Sequence, residues 1–361
     1  MPHRAPVVLS TLSAVIALMI GSARPVLAEQ HVTIQGDFLF YGDNTEFRND
    51  FREGETILGS AVRAAAIFDL NERVRIAAGA FGNLRFGGDD AFELARPVVS
   101  LTILGRRSSF VFGTFPPPRV GEPAGPDRTG PHGLLPPLQR ETLAFDRPYE
   151  AGLAWTFKGN RLRHELWIDW QRVNTDAHRE RFDAGAAVEW TASRMVSMPF
   201  ELHVVHEGGQ LFAAGPVADS VAFAGGLVVG GRVGPFERAA IEVYGLGSRF
   251  VPDRGVPASS RDGEAFFSRV SAEWSGWRAH VIAWRGRDFL KDEGDPNYQS
   301  VRRDASLYVG TRDYAETGLA RTFRPAPGVL IEASARLHRI ERHYEYSFRV
   351  AGTAVLSMRI R

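Results

Sequence analysis

The sequence predicts an all-β chain folded as one antiparallel barrel of about sixteen strands that crosses a membrane. Three observations predict it. Apolar and polar residues alternate with a period of two along most of the chain. The connections between the alternating segments are tight and long by turns. After the first 28 residues, no stretch approaches the 18 apolar residues of a spanning helix.

Residues 1–28, MPHRAPVVLSTLSAVIALMIGSARPVLA, read as a secretory signal peptide. A basic start (His3, Arg4) precedes an apolar stretch from Ala5 to Met19, and Val26-Leu27-Ala28 offers a small-residue cleavage site. Cleavage after Ala28 would remove Arg4 and Arg24 and leave 41 basic against 42 acidic residues. Such a balance gives no basic footprint for a nucleic-acid partner. The absence of cysteine excludes a disulfide framework, thiolate catalysis and cysteine-bound metal. Residues 29–361 read as a single domain, because the same pattern continues on both sides of the one proline-rich break.

The strands follow from parity. In the first, Val32, Ile34, Phe38 and Phe40 oppose Thr33, Gln35, Asp37 and Tyr41. Equivalent splits fall on Leu58–Leu70 and Val74–Phe86, and then near 92–104, 108–115, 148–157, 161–171, 181–192, 199–209, 219–233, 236–250, 263–275, 277–289, 305–323, 328–341 and 345–360. In the last, Tyr346, Phe348 and Val350 oppose Ser347 and Arg349 over a length beyond the globular average. The segment 305–323 carries Arg312-Asp313 at its middle and is expected to hold a bulge or to split. Tight turns such as Lys158-Gly159-Asn160 and Ser275-Gly276 alternate with long connections such as 44–55, 172–180 and 290–304. Outer-membrane barrels place short turns on the periplasmic side and long loops outside. Trp155, Trp190, Trp274, Trp277 and Phe323 gather near the tight turns, where an interfacial girdle belongs. Closure is required physically, since backbone groups left unpaired in hydrocarbon are costly.

The largest interruption is Pro116 to Arg147, 32 residues with eight prolines and four glycines. Neither a helix nor a central strand tolerates that composition, so it is a loop. Leu134, Leu135, Leu138, Leu143 and Phe145 give it an apolar side that favours burial, which directs the loop into or over the pore. With sixteen segments and this loop third on the outer side, the chain resembles the sixteen-stranded bacterial porins, in architecture and without a family motif. That resemblance implies an inward-folding third loop that narrows a channel, an outer-membrane lipid environment and homotrimers as a common assembly. The pore loop would present Asp127, Arg128, His132, Arg140 and Glu141. On the wall, parity turns Arg63, Arg75, Arg85, Arg232, Arg336 and Arg349 inward, against carboxylates such as Glu165, Asp169, Glu242 and Glu332. Rings of charge of this kind order water and admit polar solutes, and the arginine excess leans towards anions. The same charges can instead pair and brace the wall.

Motifs for covalent chemistry are sparse. His203-Val-Val-His206-Glu207 has the look of a zinc signature, but two histidines three apart on a strand point to opposite faces. There is no Gly-x-Ser-x-Gly elbow, and no Ser, His and Asp stand at a spacing that picks out a triad. Gly225-Gly226 and Gly230-Gly231 lack a strand–helix context and are expected to thin the wall against the loop. No catalytic, cofactor or metal residues are assigned, and no enzyme activity is expected. The expected function is passive diffusion of small hydrophilic solutes. An export conduit for an acidic polymer is the alternative. A barrel hydrolase is a third reading, for which His132, His178, Asp127 and Asp176 would have to meet near the outer loops.

Overall fold

The computed structural model describes residues 31–90, 92–116, 130–302 and 308–360. The expected signal peptide, Asp127 and Arg128 lie outside them. Sixteen strands form one closed sheet: β1 (His31–Glu46), β2 (Glu55–Asp69), β3 (Val74–Arg85), β4 (Leu94–Leu104), β5 (Ser108–Phe115), β6 (Glu150–Lys158), β7 (Leu162–Arg172) and β8 (Glu180–Thr191) make the first half. The second half is β9 (Val196–Gly208), β10 (Ala218–Val233), β11 (Phe236–Val251), β12 (Arg261–Trp274), β13 (Trp277–Arg287), β14 (Thr311–Ala326), β15 (Val329–Ile340) and β16 (His343–Ile360). Every strand pairs antiparallel with its sequence neighbours, and β1 closes on β16 from Val32↔Ile360 to Glu46↔Tyr346. Among the described residues no helix is long and apolar enough to cross a membrane; the strands do so.

The period of two becomes two faces. Phe40, Phe200, Val270 and Val281 stand exposed on the outside, where lipid replaces water. Their neighbours in sequence turn inward and are buried: Tyr41, Glu201, Arg269, His280 and Ile282. Outward aromatics mark both rims. Trp155, Trp190 and Trp277 lie towards the tight turns, and Tyr344 and Tyr346 towards the long-loop end.

Several strand ends differ from the sequence reading by a few residues, and β14 differs most. Strand β14 begins at Thr311 instead of 305, and Arg312-Asp313 falls at its start with the register unbroken. The irregularity lies between Phe323 and Ala326, beside the tight turn. Arg312 faces in and covers the Phe51 ring at 3.0 Å, while Asp313 faces out towards Arg285, so alternation carries this pair without a bulge. Strand β9 begins three residues earlier than read, because Val196 and Ser197 still pair with β10 and β8.

The lumen contains protein. Residues 130–147 of the proline-rich segment pack against inward side chains and end in the short helix α1 (Leu143–Asp146). Leu134, Leu135 and Leu138 join one apolar cluster with Trp167, Ala222, Ala224, Val228 and Tyr244. The Leu135 amide donates to Glu201 at 2.7 Å, and Asn83 donates to the Phe145 carbonyl at 2.9 Å. A second inward segment, 288–300, meets the first through Arg140 N–H to the Glu293 carbonyl at 2.7 Å and Asp295 N–H to the Pro136 carbonyl at 2.9 Å. Gly226 serves this packing indirectly: a Cβ there would collide with the cross-strand Tyr244 ring, which lies over the glycine. Gly225 faces the open exterior.

Candidate functional site

Three adjacent strands at the long-loop half of the barrel bring a serine, a histidine and a glutamate together. Ser347 lies on the inner face of β16, His338 on β15 and Glu316 on β14. In the register Glu316 is directly opposite His338, and Ser347 is one pair along, opposite Arg336. Cross-strand neighbours on one face are within side-chain reach. His338 Nε2 is 2.8 Å from Ser347 Oγ, and Nδ1 is 2.7 Å from the Tyr314 hydroxyl and 3.4 Å from Glu316 Oε2.

The hydrogen bonds fix the histidine tautomer. Tyr314 has one hydroxyl proton, which it donates to Glu316 Oε2 at 2.7 Å. Its oxygen can then only accept from His338, so Nδ1 carries the proton. Nε2 is left with a lone pair aimed at the Ser347 hydroxyl. A bare imidazole nitrogen at hydrogen-bond distance from a serine is the arrangement that makes that serine a nucleophile. Glu316 is held on its other oxygen by His280 Nε2 at 2.8 Å. Gly318 makes room for that contact, since a Cβ there would strike the His280 ring.

A cavity of about 20 Å³ opens beside Ser347, His338 and Glu316, with Arg336, Arg349 and Glu141 on its wall, and is large enough for about one water. The β1–β2 loop roofs it. Phe47 meets the His338 ring edge-on at 4.9 Å, and Arg52 is clasped to Asp295 at 2.7 Å. The loop is fastened by Glu345, which accepts from Arg48 N–H at 2.8 Å and from Asn49 at 2.6 Å.

The residues singled out from sequence are placed as follows. Arg63 is buried against Asp37 at 2.7 Å, Arg75 meets Asp69 at 2.6 Å, and Arg85 meets Asp146 at 2.8 Å. Arg336 and Arg349 converge on Glu141, each at 2.8 Å. Arg140 reaches Asp146 at 3.2 Å. Arg232 is exposed at the tight-turn end of β10, beside a register shift. His132 is fully buried between Glu165 at 2.5 Å and Glu150 at 2.8 Å, and stacks on Trp167 with ring centroids 3.6 Å apart. Burial alone would depress its pKa, but the two carboxylates outweigh that and push it up to about 10. His178 lies in the β7–β8 loop, where its amide donates to Thr175, and His132 is engaged by Glu150 and Glu165 instead.

His203 and His206 do point to opposite faces. His203 Nε2 meets Asp183 inside at 2.9 Å, and His206 Nδ1 meets Asp219 outside at 2.7 Å. Asp183, His203 and Glu293 place three ligand atoms within 4.8 Å of one another, a spacing that a divalent cation can bridge. Arg147 and Arg181 already lie 2.8 and 2.9 Å from Glu293, which puts positive charge where an ion would sit.

The serine, histidine and glutamate escaped the sequence reading because they are nine and 22 residues apart and only the register unites them. The usable signal was parity: all three are polar residues on the inward face of consecutive strands.

The fold defines the class: a sixteen-stranded outer-membrane β-barrel. In fold it is similar to the loop-deleted OmpT of Vibrio cholerae (TM-score 0.57, 10% identity, 91% of this chain and 100% of that one). It is also similar to OccK8 (OprE) of Pseudomonas aeruginosa (0.52, 10%, 91% and 98%) and to an anion-selective porin of Comamonas acidovorans (0.51, 9%, 91% and 100%). A search for relatives among curated proteins finds no match. Residues 24–356 match the lipid A 3'-O-deacylase-type family, and the chain belongs to that family. The match overturns the expectation of a protein without enzyme activity. The sequence reading failed there because it sought local motifs, whereas a triad is defined by geometry across strands.

Proposed function

We propose that the chain is an outer-membrane acyl-ester hydrolase that removes an ester-linked acyl chain from a lipid A-type glycolipid. The observation that carries the reading is the 2.8 Å contact between Ser347 Oγ and a His338 Nε2 whose tautomer leaves it bare. Ser347 Oγ attacks the acyl carbonyl carbon while His338 Nε2 takes the hydroxyl proton. Collapse of the tetrahedral adduct breaks the ester C–O bond, and His338 returns the proton to the leaving sugar oxygen. Water, deprotonated by the same nitrogen, then releases the fatty acid from Ser347. Glu316 and Tyr314 act through His338: they hold its ring and stabilise the imidazolium as it forms. The cavity admits a water but no acyl chain, so substrate enters by displacing Phe47 and Arg52 of the β1–β2 loop.

The test is mass spectrometry of lipid A incubated with the refolded protein in detergent micelles. Loss of one acyl chain, abolished in Ser347→Ala, is the expected result; equal loss in the variant would refute the assignment. Passive diffusion of small solutes is the second reading, favoured by the sixteen-strand closure. The leucine-rich segment inside the lumen weighs against it. A steady single-channel conductance in a planar bilayer would restore it, and silence is expected.

A further inference from the structure

We infer that Arg336 and Arg349 form a phosphomonoester-binding subsite beside Ser347, and that the Glu141 carboxylate occupies it as a built-in stand-in. The inference rests on the hydrolase reading for the identity of the lipid, but not for the site itself. Both guanidiniums place Nη1 at 2.8 Å from the same oxygen, Glu141 Oε2. The two arginine side chains are 16% and 11% exposed, so the pair is largely withdrawn from water. Two buried like charges that converge on one point are stabilised by an anion between them, in addition to Asp43 on Arg349 and Glu316 at 3.7 Å from Arg336. Arg336 is the cross-strand partner of Ser347, and Arg349 is two residues further along the same strand on the same face. An anion between them lies next to the reacting serine.

The other carboxylates in the cavity sit on different elements. Asp43 belongs to β1 and holds Arg349 through Nε at 2.5 Å, and Glu316 belongs to β14, holds His280 and lies 3.7 Å from Arg336. Asp295 is the partner of Arg52. Glu141 alone among them arrives on the proline-rich segment, just before α1, and so is no part of the barrel wall. Each guanidinium has five donors in a fixed fork. A phosphomonoester brings three oxygens and about −1.5 to −2 charge, against two oxygens and one charge for the carboxylate it replaces. On an acylated sugar phosphate the acyloxy group and the phosphate are substituents of one headgroup. A phosphate held between Arg336 and Arg349 therefore delivers a neighbouring ester towards Ser347.

The experiment titrates the full refolded chain in detergent micelles by calorimetry, with inorganic phosphate, with phosphorylated lipid A and with its dephosphorylated form. Glu141→Gln keeps the shape of the side chain and removes the competing charge. It is expected to bind inorganic phosphate at least tenfold more tightly than the parent chain, and Arg349→Gln in the same background should abolish the gain. Glu141→Ala serves as a second variant, with barrel closure checked by the heat-induced gel shift. A preference of at least tenfold for phosphorylated over dephosphorylated lipid assigns the headgroup as the ligand. Equal binding of both lipids, with inorganic phosphate still bound, overturns the headgroup assignment. Phosphate affinity unchanged by both Glu141 variants overturns the subsite. Binding is read without turnover, so a chain that gains phosphate affinity but cleaves no ester sinks the hydrolase reading alone.

Discussion

Two buried histidines in this lumen show how the same side chain is assigned opposite work. His132 has a carboxylate on each nitrogen, Glu165 on Nδ1 and Glu150 on Nε2. Carboxylates only accept, so both nitrogens donate and the ring is an imidazolium. A histidine with a pKa pushed up to about 10 holds its proton at neutral pH and cannot serve as a base. It is a cationic rivet between the inward segment and β6–β7. His338 has the same kind of burial but a different second partner: one nitrogen donates to Tyr314, and the other faces a hydroxyl. No carboxylate contacts its Nε2, which meets the Ser347 hydroxyl instead. Burial is common to both, and what separates rivet from base is whether the second nitrogen meets an anion or an alcohol.

The largest expected effect breaks the comparison outright. Ser347→Ala and His338→Ala should each lower deacylation by on the order of 10⁴-fold or more, and the double variant by no more than either alone. His132→Gln should leave turnover of the folded fraction in place. If His132→Gln matched the loss of His338→Ala, the two roles would have to be exchanged.

His132 should instead appear in stability. Removing one partner from a buried charged set costs about 3–5 kcal/mol, because Glu150 and Glu165 lose their counter-charge. In His132→Gln the segment 130–147 should loosen, read as faster tryptic cleavage after Arg140 and a lower urea midpoint. The sign with pH follows from the raised pKa. The folded state holds the proton more tightly than the unfolded chain, whose histidine titrates near 6.5, so the contribution is complete below about 6.5 and is lost as pH rises through about 10. Trp167 stacks on this ring, so its fluorescence should change through the same pH window in the parent chain and not in His132→Gln. A flat trace in the parent would remove the imidazolium.

These outcomes also mark what the sequence could tell. The barrel was legible because hydrocarbon imposes period two on every strand, so Phe40 beside Tyr41 and Ile241 beside Glu242 repeat one message many times. The apolar side of the inward segment was legible for a different reason, because Leu134, Leu135 and Leu138 are costly to leave in water. The site was not legible, because nothing local connects Glu316, His338 and Ser347; the link is a register, and register is set by turns at both ends of three strands. Arg336 and Arg349 could be placed on the inner face by parity. Their shared partner Glu141 could not, since it reaches them from a segment with no periodicity.

A subtler separation between rivet and base concerns what holds His338 in its tautomer. Tyr314→Phe removes the acceptor for Nδ1–H and leaves Glu316 at 3.4 Å, too long for a strong bond. The ring can then turn or exchange tautomers. Turnover should fall about tenfold to a hundredfold with KM little changed, since misplacement by about 1 Å costs rate more than binding. The acid limb of the kcat profile should also move, which a purely packing role for Tyr314 would not produce. Restoration of the parent profile in Tyr314→Phe would show that Glu316 alone orients the ring.

The smallest effect tests the rivet logic on a third group. Lys291, on the second inward segment, is 1% exposed and donates to the Asp292 carbonyl at 2.6 Å. Burial depresses its pKa to about 8, against the opposing pull of Glu293, Asp183 and Asp292. Arg147 and Arg181 hold the Glu293 carboxylate between them, and this lysine lacks the two-sided clamp that holds His132. The sign is therefore reversed. The unfolded chain binds more protons between about 8 and 10.5, so this group lowers stability in full below about 8, and stability recovers as pH rises through that window. Lys291→Met should be neutral or stabilising by about 1 kcal/mol at pH 7, with the difference shrinking towards pH 10.5. Urea unfolding at the two pH values measures it. A loss above about 2 kcal/mol at pH 7 would mean that the ammonium is a clamped partner after all, and that burial with anions within reach, more than direct contact on every donor, suffices to make a rivet.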